Sequence, residues 1–213
     1  MNDMPPSKEF TEQCKKAEFF ETPTWVADRI LDVEVMTSKV IDPCAGRGIL
    51  GGAAHRAGYN QILEADLNKW PGQNHTIRPN INWLKNEGFA EEVRAKWSDA
   101  TVFMNPPFSL TCDFIDRSFE LGARKIIMFQ RLSFLESTTR REFFQRRPPA
   151  RIWLCGDRAT CFRGDMPEED MWDEEGNLVK GKKGRSSPTA HAWFVWERDH
   201  RGTMSFHHLY KEK

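Results

Sequence analysis

Short apolar runs alternate with segments of helical spacing along most of the chain. Apolar runs bounded by turn residues predict strands at 39–42, 61–65, 101–104, 125–129, 151–155 and 191–196, with a less distinct one at 81–84. Helical spacing of apolar residues predicts helices at 49–56, 90–96, 112–121 and 138–145, after an earlier helix that opens at Thr22-Pro23. Because strands alternate with helices, we expect an α/β fold in which helices cover both faces of a parallel sheet.

Two segments break this pattern. Residues 1–18 are polar, and we expect them to form a mobile N-terminal arm. Residues 163–188 are polar and rich in Gly, Glu and Lys, and they are too long for an ordinary connection between strands. The length of 213 residues suits one α/β domain. We therefore predict a single domain over 1–213, with a polar insertion at 163–188 between the last two core strands.

Composition narrows the class of protein. No apolar run approaches the ~20 residues that a membrane span needs, and the first residues lack the apolar core of a signal peptide. We therefore expect a cytoplasmic protein without a membrane partner. Five cysteines without a C-x-x-C pair argue against a disulfide framework and against a metal site.

Charge gives no general attraction to nucleic acid. Lys plus Arg and Asp plus Glu both number 31, so the formal net charge is zero and any polyanion must bind to a local basic patch. One patch consists of Arg140, Arg141, Arg146, Arg147 and Arg151. A second patch lies in the insertion and consists of Lys180, Lys182, Lys183 and Arg185. Each patch is alternatively an ordinary solvated basic surface, and the second is the predicted nucleic-acid contact.

A glycine-containing loop, D-P-C-A-G-R-G, runs from Asp42 to Gly48 between a predicted strand and a predicted helix. Such a loop lets a ligand approach the backbone, and the helix offers free N–H donors. It lacks the G-x-G-x-x-G pattern and the Lys-Ser/Thr pair of a P-loop, which disfavours NAD and ATP and leaves another nucleoside. Asp66, after the second strand, can accept hydrogen bonds from ribose hydroxyls or simply cap a helix.

The sequence Asn105-Pro106-Pro107-Phe108 directly follows another predicted strand. Two prolines make a stiff turn that projects the Asn amide. The exocyclic amine of adenine is a poor nucleophile, because its lone pair is delocalised into the ring. The Asn105 side-chain oxygen and the Pro106 carbonyl can accept its two hydrogens and free that lone pair, while Phe108 can stack on the base. A rigid turn with a buried Phe is the alternative. Both loops follow strands and should face one crevice.

Together these motifs resemble those of the class I, Rossmann-like S-adenosylmethionine-dependent amino-group DNA methyltransferases. Residues 42–48 are similar to their D-P-x-x-G-x-G cofactor loop, and Asp66 with Leu67 and Asn68 to their acidic ribose-binding segment. Residues 105–108 match their [D/N/S]-P-P-[Y/F] catalytic tetrapeptide, and 19–23 resembles the F-x-T-P segment that closes over the cofactor. The resemblance implies a mostly parallel seven-stranded sheet.

The resemblance also implies a function: methyl transfer from S-adenosylmethionine to adenine N6 in DNA, after the base is flipped out of the stack. The Asn and Phe variants of the tetrapeptide favour adenine N6 over cytosine N4. The residues implied to be catalytic are Asn105, Pro106, Pro107 and Phe108. The residues implied to bind the cofactor are Phe20, Thr22, Asp42, Pro43, Cys44, Gly46, Gly48, Asp66, Leu67 and Asn105.

Other readings remain open. The substrate can instead be adenine in RNA or a glutamine amide in a protein, and a non-catalytic nucleic-acid-binding module is a further alternative. Cys44 and Arg47 depart from the small residues that the family often has at these positions. The acidic residue that should hold the cofactor's adenine is not evident, and its candidates are Asn82, Asn86 and Glu87.

Overall fold

The computed structural model describes residues 6–167, 169–172, 177–186 and 188–212. Within these ranges the α-helices are α1 (Lys8–Lys16), α2 (Thr24–Leu31), α3 (Ile49–Arg56), α4 (Glu87–Lys96), α5 (Thr111–Glu120) and α6 (Arg141–Arg146). Short 3₁₀ turns lie at Phe108–Leu110, Leu132–Leu135 and Thr138–Arg140. The strands are β1 (Phe20–Glu21), β2 (Lys39–Asp42), β3 (Gln61–Glu64), β4 (Thr101–Met104), β5 (Lys125–Arg131), β6 (Arg151–Cys155), β7 (Phe162–Arg163), β8 (Met171–Trp172), β9 (Leu178–Val179), β10 (His191–Glu197) and β11 (Ser205–Leu209).

The centre of the fold is a seven-stranded sheet with the order β11-β6-β10-β5-β4-β2-β3. Strands β3, β2, β4 and β5 pair in parallel, and β11 pairs in parallel with β6. Strand β10 lies between β5 and β6 and is antiparallel to both. The predicted α/β class with a mostly parallel seven-stranded sheet is confirmed.

Helices cover both faces of this sheet, as strand β5 shows. Ile126 and Met128 belong to a buried cluster that includes residues of α4, α5 and α6. Ile127 and Phe129, which alternate with them, belong to a second cluster that includes residues of α2 and α3. A strand that is buried on both faces needs such a continuous apolar run, which is why this strand was predictable.

One predicted strand is wrong and one real strand was not predicted. Residues 81–84 form a loop, and within the described residues the nearest pairing at this edge is a single bridge between Ala65 and Arg78. The seventh strand is β11, which packs at the opposite edge against β6. It escaped prediction because its Phe206 and His208 are exposed, so the strand lacks the buried apolar run of its neighbours.

Helix α1 occupies most of the segment that was predicted as an N-terminal arm. Ser7 caps it by accepting a hydrogen bond from the backbone nitrogen of Phe10 (3.2 Å). Cys14 is fully buried, and the ring of Phe10 lies edge-on to Trp70 with centroids 6.4 Å apart. The arm is therefore helical over 8–16. Its mobility stays a prediction, and residues 1–5 lie outside the described part.

A buried ionic network lies at the edge of the sheet where β5 and β6 begin. Glu34, which is 3% exposed, accepts hydrogen bonds from Lys125 Nζ (2.6 Å), Arg151 Nε (2.6 Å) and Trp153 Nε1 (2.8 Å). Burial tends to raise the pKa of Glu34, but the hydrogen bonds from Arg151, Lys125 and Trp153 outweigh it and hold the pKa below its ordinary value. The network ties the segment after α2 to β5 and β6.

Neither a membrane-spanning helix nor a metal-binding group is evident in the described ranges. The helices there are too short and too polar to cross a bilayer. No three or more His, Cys, Asp or Glu side chains in those ranges are grouped so that they could hold a metal ion.

Candidate active site

The glycine loop between β2 and α3 needs backbone conformations that favour glycine. Gly46 has φ = 57° and Gly48 has φ = 93°, both in the left-handed region. Gly48 N donates to the Ala45 carbonyl (2.8 Å), which closes the turn before α3 begins. At Gly46 an added Cβ would lie 2.8 Å from Cε2 of Phe19. Residues 19–23, which we call the upstream segment, therefore pack directly on the loop.

A cavity of about 350 Å³ opens beside this loop, where β2 and β4 end. This first cavity is bounded by the upstream segment on one side and by residues 81–85 on the other. The predicted cofactor residues that line it are Phe20, Thr22, Asp42, Pro43, Cys44, Gly46, Asp66, Leu67 and Asn105. Gly48 does not line the cavity and acts instead through the backbone turn.

Asp42 presents an unpaired carboxylate oxygen in this buried setting. The residue is 1% exposed, and its Oδ1 accepts a hydrogen bond from the backbone nitrogen of Cys44 (3.1 Å). Its Oδ2 is buried without a partner among the described residues. Burial and the nearby carboxylate of Glu64 raise the pKa of Asp42 well above its ordinary value. A positively charged group of a ligand would relieve both the missing hydrogen bond and the shift.

Asp66 stabilises the loop more than the sequence predicted. Its Oδ2 accepts from the backbone nitrogen of Gly46 (2.8 Å), and its Oδ1 accepts from the backbone nitrogen of Asn68 (2.8 Å) and from Trp70 Nε1 (3.1 Å). A carboxylate has about four acceptor positions, so Oδ2 keeps capacity for a hydroxyl of a ligand. Asp66 thus links the two loops that line the cavity.

Asn105 is held in one orientation by the upstream segment. Its Nδ2 donates to the carbonyl oxygen of Phe20 (3.1 Å) and to Oγ1 of Thr22 (2.9 Å). A carbonyl only accepts hydrogen bonds, so the amide nitrogen must lie on this side and the orientation is unambiguous. The side-chain oxygen Oδ1 is therefore the amide atom that remains for a ligand.

A second, smaller cavity of about 80 Å³ lies on the other side of Asn105. Its lining includes Pro106 and Phe108 of the tetrapeptide, together with Gln130 and His191. Asn105 lines both cavities, whereas Pro107 lines only the first. The structure therefore divides the predicted catalytic residues between two spaces that meet at the Asn105 side chain.

Phe108 is already in contact with two guanidinium groups. Arg131 and Arg140 each lie over its ring with the guanidinium carbon 5.4 Å from the centroid. Arg131 also lies over the ring of Phe20, at 5.8 Å. Cation–π contacts of this kind are worth about 0.5–2 kcal/mol, so a stacked ligand must replace a weak but favourable contact.

Cys44, in the glycine loop between β2 and α3, remains a thiol. Burial, followed by the charges of Asp42 and Asp66, raises the pKa of Cys44 well above its ordinary value. Only the thiolate is a strong nucleophile or metal ligand. Cys44 therefore contributes a small, neutral surface to the cavity.

Comparisons with known proteins bear on the fold. No protein-family profile matches the sequence, and no curated protein matches it. A solved structure described as the modification subunit of a candidate type I restriction enzyme from Vibrio vulnificus is similar, with TM-score 0.55 and 13% identity over 94% of this chain and 49% of that chain. A predicted O-methyltransferase from Agrobacterium tumefaciens has TM-score 0.51 and 14% identity over 85% of each chain.

The chain shares with these two proteins an α/β fold built on a seven-stranded, mostly parallel sheet, and one of the two is described as a predicted O-methyltransferase. This chain spans about half of the Vibrio vulnificus chain. At 13% and 14% identity these likenesses show a shared fold, and what the chain does must be argued from its own residues.

Within this fold, Arg47 joins three distant segments around the first cavity. Its Nε donates to the Pro71 carbonyl (2.7 Å), its Nη1 to Glu21 Oε1 (2.8 Å), and its Nη2 to the Gly164 carbonyl (2.9 Å). The sequence singled out Arg47 only as a departure from small residues. Its partners lie 24, 26 and 117 residues away, so nothing in the local sequence indicated the role.

The structure narrows the candidates for the residue that would hold a cofactor adenine. Asn86 caps α4 by accepting from the backbone nitrogen of Phe89 (2.9 Å). Glu87 pairs with Arg117 (2.7 Å). Of the three candidates only Asn82 lines the first cavity.

The start of the insertion at 163–188 is fastened to the upstream segment. Strand β7 pairs with β1, so that Arg163 lies opposite Phe20. Within the insertion, residues 168, 173–176 and 187 lie outside the described part of the chain. The insertion is therefore attached beside the first cavity.

The predicted nucleic-acid contacts in the insertion carry acidic partners. Lys180 pairs with Asp170 (2.8 Å), and Lys183 pairs with Glu169 (2.7 Å). Lys182 lies 3.4 Å from Glu21 of the upstream segment. Arg185 is exposed. A polyanion would therefore have to compete with carboxylates for three of the four basic groups.

The other basic patch is largely occupied by internal contacts. Arg146 and Arg147 both pair with Asp116, and Arg151 belongs to the network around Glu34. Arg140 Nε donates to the carbonyl oxygen of Phe134 (2.8 Å). Only part of this patch is therefore available to a partner.

Proposed function

We propose that the protein transfers a methyl group from S-adenosylmethionine to an exocyclic amino nitrogen, and that its substrate is adenine N6 in DNA. The observation that carries the proposal is Asn105. Its amide nitrogen is held by Phe20 and Thr22, which leaves its oxygen free for a ligand, and the residue lines two cavities of very different size. This arrangement suits a reaction in which one molecule approaches from each side.

The first cavity has the properties that S-adenosylmethionine requires. Its unpaired Asp42 oxygen suits the positively charged amino group of the cofactor, and Asp66 keeps an acceptor for a ribose hydroxyl. Leu67 and Trp83 supply apolar surface for the adenine ring, beside Asn82. The bound cofactor supplies an electrophilic methyl group on a sulfonium that leaves as a neutral thioether.

The chain's own contribution to the chemistry is to prepare the amine. Asn105 Oδ1 accepts one hydrogen of the amino group, which favours a tetrahedral nitrogen with an available lone pair. The interaction strengthens as the nitrogen attacks, so it lowers the barrier more than it tightens substrate binding. The Pro106 carbonyl was predicted to accept the other hydrogen, but it already accepts from Gln130 Nε2 (3.2 Å).

DNA is the proposed polymer on three grounds. The tetrapeptide and the upstream F-F-E-T-P segment are of the DNA-methyltransferase type. The insertion carries four basic residues that can contact phosphates, and one of them, Lys182, lies 3.4 Å from Glu21, which lines the first cavity. The Vibrio vulnificus protein, described as a modification subunit, adds a restriction-enzyme example of the same fold. A duplex target must be flipped out to reach Asn105, at a cost of a few kcal/mol.

The experiment uses cofactor with a labelled methyl group and parallel pools of DNA, RNA and protein. We expect label in DNA, recovered as N6-methyladenine after digestion, and less than a tenth of that rate with Asn105→Ala. Asn105→Ala should bind the cofactor nearly as well as the wild type and keep its circular dichroism spectrum. Label in RNA or in protein alone would move the assignment to one of the alternative substrates. Cofactor binding without label in any pool would favour a nucleic-acid-binding module.

A further inference from the structure

The second cavity is lined by a histidine, one of whose ring nitrogens has no hydrogen-bond partner among the described residues. His191 is 7% exposed and lines this cavity together with Asn105. Its Nδ1 is buried, and no group in the described residues hydrogen bonds to it. Buried polar atoms in native proteins are nearly always hydrogen bonded, so a buried nitrogen without a partner needs an explanation.

We infer that His191 is a substrate-binding residue. Its Nδ1 accepts a hydrogen bond from one N–H of the reacting amine, while Asn105 Oδ1 accepts a hydrogen bond from the other N–H. This inference rests on the proposed function and adds to it. It assigns to His191 the role that the sequence gave to the Pro106 carbonyl.

Strand order brings His191 to the catalytic loop. Strand β10 begins at His191, which pairs with Arg131 at the end of β5. Strand β4, parallel to β5, ends at Met104 immediately before Asn105. Because β10 is antiparallel to β5, its first residue lies at the same edge of the sheet as the last residues of β4 and β5. Two side chains that are 86 positions apart in sequence therefore line one cavity.

The His191 ring is neutral and has a lone pair to offer. Burial, reinforced by the positive charge of Arg131, lowers the pKa of His191 to about 4. The backbone at Thr189 and Ala159 favours the protonated ring. Because Nδ1 has no hydrogen-bond partner among the described residues, we assign the single proton of the neutral ring to Nε2. Phe129 stacks on the ring with centroids 5.2 Å apart and fixes its plane. The partnerless Nδ1 is then a hydrogen-bond acceptor.

The Pro106 carbonyl is the weaker alternative. Gln130, which is buried, donates from Nε2 to this carbonyl and also to Oγ1 of Thr111 (3.1 Å). The carbonyl is therefore partly used in holding the loop in place. Gln130 is a positioning residue, whereas His191 Nδ1 has no competing donor.

The assignment predicts which chemical group the second cavity accepts. Asn105 Oδ1 and His191 Nδ1 are both acceptors, so they match an amino group with two hydrogens. An oxo group at the same position would set acceptor against acceptor and leave both side chains unpaired, which is strongly unfavourable in a buried site. The cavity should therefore bind adenine and reject hypoxanthine, which carries oxygen at C6.

The kinetic test compares His191→Asn with His191→Phe. Asn places an amide oxygen near the position of Nδ1, whereas Phe keeps a flat ring without a nitrogen. The substrate is whichever pool, DNA, RNA or protein, the wild type methylates. We expect kcat to fall at least about tenfold in His191→Phe and to stay within about threefold of the wild type in His191→Asn. His207→Phe is the matched control, since His207 also stacks on an aromatic ring, Trp153, but lies on β11. It should leave kcat unchanged.

A second readout does not require turnover. With ¹⁵N-histidine protein and S-adenosylhomocysteine present, adenosine should shift the Nδ1 resonance of His191, and inosine should not. No shift at saturating adenosine, or equal losses of kcat in the Phe and Asn variants, would overturn the role of His191. If the wild type methylates none of the pools, the proposed function fails by itself, and the Nδ1 response to adenosine still decides whether His191 binds the amine.

Discussion

The side-chain nitrogen of Asn105 lies 2.9 Å from the hydroxyl oxygen of Thr22, 83 residues earlier in the chain. A second bond from the same nitrogen reaches the Phe20 carbonyl. The upstream segment therefore does two things at once: it lines the first cavity and it sets the direction of the Asn105 oxygen. A tetrapeptide that is stiff in its backbone still leaves the Asn side chain free to rotate, and Thr22 removes that freedom.

Thr22→Val is expected to lower kcat about fivefold. It keeps the shape of the side chain but removes one acceptor of the Asn105 amide, a hydrogen bond worth roughly 1 kcal/mol. Thr24→Val is the matched control, because Thr24 is exposed at the start of α2. Cofactor affinity, measured by calorimetry, should change by less than about threefold in either variant. A Thr22→Val enzyme as fast as the wild type would show that Asn105 is oriented by other contacts.

Asp42→Ala is expected to weaken S-adenosylmethionine binding at least tenfold, or ~1.4 kcal/mol. The raised pKa of Asp42 means that this carboxyl holds its proton more tightly in the free protein than an ordinary Asp does. A cationic ligand favours the ionised form, so binding should release a proton, and wild-type affinity should increase as pH rises through that raised pKa. Calorimetry in two buffers of different ionisation enthalpy measures the released proton.

The control for the proton release and for the pH dependence of affinity is Asp42→Asn. Its side chain cannot ionise, so both effects should be lost. Equal affinity in the wild type and in Asp42→Ala would place the cofactor elsewhere.

Glu34→Gln is expected to destabilise the fold by about 3–5 kcal/mol, because it leaves Lys125 and Arg151 without their buried counter-charge. Asp28→Asn is a matched control on α2. Its pair with Arg56 is exposed, so the cost should be under about 1 kcal/mol. Urea unfolding measures both. Comparable losses in the two variants would contradict the importance of the buried network.

The same network should make the free energy of unfolding depend on pH in the acidic range. The pKa of Glu34 is lower in the folded protein than in the unfolded chain, where it is about 4.3. The stabilising contribution is therefore complete above that unfolded value and is lost as pH falls through the folded value. In Glu34→Gln the unfolding free energy should decline less steeply below about pH 4 than in the wild type. Parallel curves would exclude Glu34 as the source.

Replacing Lys180, Lys182, Lys183 and Arg185 with Ala is expected to flatten the slope of log K against log salt for DNA binding by up to roughly 3 units. Each phosphate contact contributes about 0.9 to that slope on duplex DNA. Because Lys180 and Lys183 already pair with Asp170 and Glu169, Glu169→Gln should instead strengthen binding slightly. An unchanged slope in the quadruple variant would leave the insertion without a DNA role.

The elements that the sequence predicted are those with local causes. Strand β5 is a continuous apolar run, and the loop that follows β2 carries glycines whose positive φ values only a few residue types adopt. Asn105 follows a buried strand, so its position at the carboxyl edge could be inferred from the fold class. The two strand errors arise because an apolar run and strand pairing do not always coincide. The loop at 81–84 is mostly apolar but does not form a strand, whereas β11 is paired although its Phe206 and His208 are exposed.

The residues that sequence reasoning missed depend on long-range contacts. Arg47 contacts a carbonyl at Gly164, and Gln130 contacts one at Pro106. His191 begins a strand that looked like any buried strand, and only its antiparallel insertion beside β5 brings it to Asn105. The available signal was a polar residue, His191, at one end of a predicted strand. This signal could not be used without knowing that the strand is antiparallel to β5, because only then does its first residue lie at the carboxyl edge of the sheet.

The position of β10 between β5 and β6 also sets an order of assembly. Residues up to Arg131 contain every strand of the half of the sheet that borders the first cavity, so this half can form from contacts made early in synthesis. The second cavity needs His191 from a strand that must enter the middle of the sheet after its two neighbours exist. A nascent chain would thus form the cavity that we propose for the methyl donor before the cavity that we propose for the acceptor. A chain released before β10 has entered the sheet would then bind the donor without being able to bind the acceptor.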